Sequence, residues 1–219
     1  MCGNTELFWV SAILFFMVIT YYGRQYFKLT LGDLTIATNP PAKSLKPSRF
    51  GADIALITTN VEESNDPETV SLGDKAPFVI DSAGSYEVQN LFFAGAPSAV
   101  SVDGVDRINT IYGFELDGIK IAFLGAAYDD KTFSPEAKEL ASQADMVFVS
   151  IAEDPALAYK TATSFDPNVI IPMDCDADSL KRFLKEGGQD KNEAQDKATL
   201  KRRDLDGKEG HIIVLAPQG

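Results

Sequence analysis

The order of apolar runs along this chain constrains its fold more than any other feature of the sequence. In the first half, short apolar runs alternate with turn signals, of which Leu31-Gly32-Asp33 and Asp117-Gly118 are typical of hairpins. In the second half, apolar runs alternate with helical segments, and Pro135 and Pro155 stand where helices begin. Hairpins followed by strand–helix alternation predict an α/β (α+β) protein with two packed sheets and helices outside them.

These patterns place the expected elements along the chain. Expected strands cover residues 22–30, 34–38, 54–57, 77–80, 86–94, 108–116, 119–125, 146–151, 168–173, 198–202 and 211–215. Expected helices cover residues 134–142, 154–163 and 178–187. No repeat of 20–50 residues is evident, so a repeat architecture is not predicted.

The first apolar run, residues 7–22, allows two interpretations. It holds 16 residues without charge, slightly short of the ~20 apolar residues of a spanning helix. Its second half, from Met17, is also typical of a strand. Either residues 1–16 are an apolar extension or a membrane anchor, or translation begins at Met17. We expect a domain over residues 17–219, with membrane association only through residues 7–22.

The distribution of charge argues against nucleic-acid binding. The 219-residue chain has a formal net charge of −12, and residues 51–177 alone carry 22 acidic and 6 basic side chains. Such an excess of negative charge repels phosphate, and no basic stripe with interleaved aromatic residues compensates for it.

Cysteine and histidine are too scarce for the common disulfide and metal motifs. Cys2 and Cys175 are the only cysteines, and their spacing matches neither a metal nor a redox motif. Two thiols without a disulfide framework favour a reducing compartment, so we expect a cytoplasmic location. His211 is the only histidine, which excludes a site built from several imidazoles of one chain. Because it adjoins an apolar run, a structural role is favoured over a catalytic triad.

A polar loop, residues 58–66, follows the buried strand predicted at 54–57. Ligands and catalytic groups of α/β proteins often lie at the carboxyl ends of such strands. Glu62 and Glu63 in this loop could serve as acid and base. A solvated loop in an acidic protein explains them equally well.

A second acidic group, Asp174, Asp176 and Asp178, lies between a predicted strand and a predicted helix. Helix capping is the simpler interpretation, because aspartate at an N-cap binds free backbone N–H groups. The alternative is an all-carboxylate site for a divalent cation such as Mg²⁺, Mn²⁺ or Ca²⁺. The candidate ligands of that alternative site are Glu62, Glu63, Asp66, Asp174 and Asp176.

Taken in order, the strand ends resemble the metallo-β-lactamase fold. The segments that carry the resemblance are MVITYYGRQYFKL, LTIATNPP, RFGADIALITTN, PFVIDSAGSYEV, GAPS, INTIYGFELDGIKIAFLG and NVIIPM. From Met17 to the C-terminus the chain is similar to small Zn-dependent hydrolases related to ascorbate-6-phosphate lactonase. The resemblance implies a four-layer αββα sandwich of two mixed sheets, in agreement with the layers predicted above.

The resemblance also implies where metal ligands would lie. The family motif His-x-His-x-Asp-His falls on Thr59, Val61, Glu63 and Ser64. The other ligand positions of the family fall on Val100, Ala126 and Asp174. An aspartate that often precedes proline in the second strand is Asn39 here.

Loss of these ligands predicts loss of the metal. Zinc is held by imidazole, thiolate or carboxylate groups, usually three of them in a catalytic site. Only Glu63 and Asp174 keep a possible ligand, so we expect neither a dinuclear zinc centre nor any other cofactor. The sequence thus predicts a degenerate hydrolase that acts as a binding or scaffold domain. Its partner would be another protein, a second copy, or a small anionic or apolar ligand in the vacated cleft. The alternative is a hydrolase with the rebuilt carboxylate site.

Overall fold

Two mixed β-sheets pack face to face in the computed structural model, which describes residues 16–218. The strands are β1 (Met17–Tyr21), β2 (Phe27–Leu31), β3 (Leu34–Thr38), β4 (Ile54–Leu56), β5 (Phe78–Ile80), β6 (Gly84–Val88), β7 (Leu91–Val102), β8 (Val105–Leu116), β9 (Ile119–Phe123), β10 (Met146–Ser150), β11 (Val169–Met173), β12 (Lys197–Leu200) and β13 (His211–Ile212). The helices are α1 (Pro135–Ser142), α2 (Pro155–Ser164) and α3 (Ala177–Glu186).

Each sheet combines parallel and antiparallel pairs. The six-stranded sheet has the order β12-β1-β2-β3-β4-β5, antiparallel up to β3 and parallel from β3 to β5. The seven-stranded sheet has the order β13-β11-β10-β9-β8-β7-β6, with β9, β10, β11 and β13 parallel and the remaining pairs antiparallel. The prediction of two mixed sheets, with hairpins in the first half and helical crossovers in the second, is confirmed.

Two predicted strands are wrong in part. Residues 22–26 of the strand expected over 22–30 form the turn between β1 and β2, and residues 86–94 are not one strand. The chain turns back at Gln89 and Asn90, whose φ angles are 54° and 60°, and forms the β6–β7 hairpin. Two successive residues with positive φ make the tight turn whose twist matches antiparallel strands. Strand-forming residues stand on both sides of this turn. The sequence pattern therefore predicts a single strand across it.

The apolar layer between the sheets is built from the inward side chains of both. Phe27 of the six-stranded sheet lies edge-on to Phe148 and to Phe123, with ring centroids 5.1 and 6.2 Å apart, respectively. All three side chains are fully buried. Burial of large aromatic surfaces of this kind dominates the stability of a two-sheet core.

The three helices cover the outer face of the seven-stranded sheet. Each begins at a residue whose side chain accepts a backbone N–H of its first turn: Ser134, Asp154 and Asp176. Proline at the first or second position of α1 and α2 fits this geometry. The capping interpretation of Asp176 is therefore confirmed.

The outer face of the six-stranded sheet has a different cover. Tyr26 and Phe50 stack there with centroids 5.5 Å apart, next to the fully buried Val70. Val70 ends a 3-10 helix, Pro67–Val70. Among residues 16–218, loops and short 3-10 helices thus supply this fourth layer.

The N-terminal apolar run contributes a strand to the domain. Met17–Tyr21 lie between β12 and β2, and Met17 and Ile19 are fully buried. The strand interpretation of this half is confirmed, whereas the extension predicted before it falls outside the described residues, apart from Phe16. No helix within residues 16–218 is long and apolar enough to cross a membrane.

Candidate functional site

A cavity of about 530 Å³ opens where the carboxyl ends of β4, β9, β10 and β11 meet. Its lining includes every position that the resemblance marked as a former ligand: Thr59, Val61, Glu63, Ser64, Val100, Ala126 and Asp174. Residues far apart in the chain are therefore brought together at one edge of the sandwich. This is the edge at which α/β proteins usually bind ligands.

The loop after β4 is fixed to β8. Thr59 forms an isolated β-bridge with Asn109, and the Thr110 N–H donates to the Thr58 carbonyl at 2.7 Å. Farther out, Arg107 Nη1 donates to the Asn60 carbonyl at 3.2 Å. These contacts hold the first half of the loop as a rigid wall of the cavity.

Asn109 is the centre of the interior beneath that wall. Its Nδ2 donates to Ser98 Oγ and to the Leu124 carbonyl, each at 2.9 Å. Its Oδ1 accepts from Thr59 Oγ1 at 2.9 Å and from the Ala126 N–H at 3.1 Å. The fully buried amide thus uses both donor hydrogens and both lone pairs.

A second amide, Asn39, makes a similar set of bonds. Its Oδ1 accepts from the Thr58 N–H at 2.8 Å, and its Nδ2 donates to Thr58 Oγ1 at 2.9 Å and to Gln25 Oε1 at 2.8 Å. We call five buried polar residues the cavity floor: Asn39, Thr58, Thr59, Ser98 and Asn109. Every buried polar side-chain atom of the floor has a partner.

Gly125 allows the floor to close. Its φ is 62°, in the left-handed region, and a Cβ there would overlap Asn109 Oδ1 and the side chain of Thr58. Glycine is therefore required both by the backbone conformation and by the close approach of two floor residues.

Asp174 lies at the inner end of the cavity. Gln25 Nε2 and Ser150 Oγ donate to its Oδ2 at 2.7 and 2.9 Å. Burial raises the pKa of the carboxyl above its usual value, while the two hydrogen bonds and the nearby charge of Arg24 oppose this rise. Its φ of 57° is uncommon for a residue other than glycine.

Negative charge predominates around the cavity. The charged residues of its lining are Glu63, Asp103, Glu153, Asp174 and, as the one cation, Arg24. Tyr128 in the same wall has a raised pKa, caused first by burial and then by the negative charges of Glu153, Asp154 and Asp129.

The donor set does not fit a metal ion. Residues 16–218 contain no group of three or more His, Cys, Asp or Glu side chains placed to hold one. Of the five carboxylates of the alternative site, Glu63 and Asp174 line the cavity, whereas Glu62, Asp66 and Asp176 do not. Asp66 instead accepts the Lys43 and Glu68 N–H groups, and Asp176 accepts the Ser179 N–H. The geometry therefore gives the rebuilt carboxylate site no support.

The single histidine lies at the other end of the sheet. His211 is opposite Val169, the first residue of β11, while Asp174 follows the last residue of that strand. Five residues of strand correspond to roughly 16 Å. His211 therefore cannot act in the cavity, in agreement with the structural role expected for it.

The sequence alone does not predict most of the residues that form the hydrogen-bond network beneath the cavity. The sequence pattern does not predict the roles of Gln25, Ser98, Asn109 and Ser150, although Asn109 stands out in one respect. It is an amide inside the apolar run INTIYGFEL, and a buried amide in a strand requires partners. The sequence pattern does not identify those partners.

Comparison with known proteins gives consistent results. A family model described as the beta-lactamase superfamily domain matches residues 18–174. No curated protein sequence matches the chain significantly.

Three solved structures with the same fold illustrate the similarity. A metallo-β-lactamase superfamily protein from Thermotoga maritima is 23% identical over 91% of this chain and 98% of its own, with a TM-score of 0.69. Igni18, a metallo hydrolase from Ignicoccus hospitalis, is 14% identical over 93% and 97%, with a TM-score of 0.60. YhfI from Bacillus subtilis, a metallo-β-lactamase fold protein, is 9% identical over 78% and 92%, with a TM-score of 0.55. At these identities the likeness shows the fold alone.

Proposed function

Because the chain belongs to the metallo-β-lactamase superfamily but its cavity lacks a metal-binding donor set, we propose that it is a catalytically degenerate member that acts by binding. The single observation that carries this proposal is the chemistry of the seven lining positions at which the resemblance places metal ligands. Five of them are Thr, Val, Ser, Val and Ala, and the other two are Glu63 and Asp174.

The cavity floor supports the same conclusion from another direction. A metal site presents several lone pairs that only the ion satisfies, since ligands must converge on it. Here the buried amides and hydroxyls satisfy one another, and no buried side-chain nitrogen or oxygen among residues 16–218 lacks a partner. The cavity floor therefore leaves no buried side-chain group that needs an ion as its partner.

Hydrolysis would need another means of activating water. In metal-dependent hydrolases the ion lowers the pKa of bound water to about 7. No histidine lies at the cavity to act as a base, and residues 16–218 contain no group of three or more His, Cys, Asp or Glu side chains placed to hold an ion. We therefore propose that the protein retains the scaffold and the cleft but does not catalyse hydrolysis. The free thiol of Cys175 supports placing such a protein in a reducing, cytoplasmic compartment.

Metal titration of the full-length protein tests the proposal. After stripping with a chelator, addition of Zn²⁺, Mn²⁺ or Mg²⁺ should change neither the melting temperature nor the hydrolysis of phosphodiester, lactone or β-lactam substrates. The double variant Glu63→Gln, Asp174→Asn is the matched control, because it removes both remaining carboxylates from the former ligand positions. A saturable micromolar zinc site with turnover, lost in this variant, would overturn the proposal.

A further inference from the structure

The cavity is large enough for more than an ion. Its volume of about 530 Å³ lies within the range of roughly 300–1,000 Å³ found for small-molecule sites. It is walled by the loop after β4, the tip of the β7–β8 hairpin and the loops after β9, β10 and β11. A concave site of this size, lined by separate loops, is typical of small-molecule binding.

Charge selects the class of ligand. Glu63, Asp103, Glu153 and Asp174 face one cavity together with the single cation Arg24. Carboxylates gathered in a concave, low-dielectric site focus a negative potential and concentrate cations. The same field repels anions, so the small anionic ligand considered from the sequence is disfavoured.

Asp174 supplies an oriented acceptor within that field. Gln25 and Ser150 both donate to Oδ2, and Asn39 in turn fixes Gln25. The other oxygen, Oδ1, receives no hydrogen bond from residues 16–218 and is not sealed from solvent. One carboxylate oxygen is therefore held in place and left free for a donor on a ligand.

Part of the remaining wall is apolar and aromatic. Val61, Val100, Ala126, Ala152 and the ring of Tyr128 form this apolar part, beside polar side chains such as those of Thr59, Ser64 and Ser101. Such surfaces fit the hydrocarbon part of a ligand, and an aromatic ring also attracts cations.

An organic cation satisfies this arrangement where a metal ion does not. A divalent ion requires several oxygen ligands that converge to within ~2.0–2.6 Å of one point, and no such group exists among the described residues. An ammonium group needs only acceptors at ordinary hydrogen-bond distances, one of which Asp174 provides.

We propose that the cavity binds a small organic cation, a primary amine with a short aliphatic body, whose ammonium group is anchored by Asp174. This inference rests on the proposed function, in which the cleft binds without hydrolysis. The amine bonds to Oδ1, its hydrocarbon part lies against Val61 and Val100, and Glu63, Asp103 and Glu153 supply long-range attraction.

Calorimetry on the full-length protein at neutral pH tests the inference with matched probes. Butylammonium and 1,4-butanediammonium should bind saturably, whereas 1-butanol and butyrate, of similar size, should not. Asp174→Asn keeps an acceptor for Gln25 and Ser150 but removes the charge, and should weaken amine binding roughly ten- to a hundredfold. Glu87→Gln, an equal charge change at an exposed site on β6, should leave binding unchanged.

A second variant keeps the test decisive if Asp174→Asn does not fold. Glu153 lies outside the hydrogen-bonded floor, so Glu153→Gln leaves the floor intact. This variant should weaken amine binding several-fold, and the difference from wild type should shrink as the salt concentration is raised. Equal binding of 1-butanol and butylammonium, or unchanged amine binding in both cavity variants, would overturn the inference. Absence of binding by both amines would also overturn it, yet would leave the proposed function standing, since the metal titration tests that function separately.

Discussion

The apolar layer between the sheets and the cavity floor are both buried, but different forces hold them together. Phe27, Phe123 and Phe148 contribute area and shape, and other large apolar side chains could supply much of both. Asn39 and Asn109 contribute directional hydrogen bonds to named partners. The apolar layer can therefore keep the fold while residues change, whereas each floor residue is tied to its own neighbours. Under the proposed function, this difference explains how the scaffold persists without a metal site.

The largest expected effect comes from opening the apolar layer. Phe148→Ala should lower the free energy of unfolding by about 3–5 kcal/mol, because it removes a fully buried ring and leaves a cavity. Phe92→Ala is the control, since that ring is 70% exposed and should change stability by less than about 0.5 kcal/mol. Urea denaturation measures both. Equal losses in the two variants would contradict the assignment of this layer as the main source of stability.

The next effect should come from the floor. Asn109→Ala removes little apolar area but leaves Thr59, Ser98, the Leu124 carbonyl and the Ala126 N–H without their partner. We expect a loss of about 2–4 kcal/mol, since each unsatisfied buried group costs roughly 1–3 kcal/mol and water can reach some of them.

Asn65→Ala is the control for this variant, because its amide donates only to Asn60 at the surface. It should change stability by less than about 0.5 kcal/mol in the same denaturation experiment. A loss in Asn109→Ala no larger than this would mean that the floor contributes no more than a surface network.

A smaller effect should separate close packing from backbone strain. Gly125 and Gly188 both have φ near 62°, but a Cβ meets the floor at Gly125 and nothing within 4 Å at Gly188. Gly188→Ala should lose about 1–2 kcal/mol through the left-handed conformation alone. Gly125→Ala should lose roughly 1 kcal/mol more, because Thr58 and Asn109 must also move. Equal losses of stability in the two variants, measured by thermal or chemical denaturation, would show that Thr58 and Asn109 move aside without cost.

The smallest expected effect is a pH dependence at Asp174. Folding raises the pKa of this carboxyl, so the folded state favours the protonated form of Asp174. The resulting stabilisation is present below the unfolded pKa and is lost as pH rises through the folded pKa. Relative to wild type, Asp174→Asn should thus gain stability as pH rises from acid to neutral. Denaturation of both proteins at several pH values checks this, and a stability difference independent of pH would contradict it.

Periodicity predicted the elements that depend on the apolar layer. The parallel strands β10 and β11 and the capped helices α1 and α2 follow directly from their apolar runs and from Ser134 and Asp154. The hairpin turn at Gln89 and Asn90 was missed because its conformation is local and the apolar pattern continues across it.

The site was only partly predictable for a related reason. The resemblance marked seven positions that share the cavity lining, since strand order determines which loops meet. It did not indicate that Asn109 joins Thr59 to Ala126, or that Gln25 joins Asn39 to Asp174. Such contacts depend on the register between distant segments, which no single stretch of sequence specifies.

The position of β1 has a consequence for how the domain is made. Met17–Tyr21 pair on one side with β2 and on the other with β12, which begins at Lys197. During synthesis, and in any product truncated before Lys197, the strand MVITY would have an unpaired edge. Unpaired, apolar strand edges recruit other chains. In the folded domain, pairing with β12 therefore covers the apolar edge of β1.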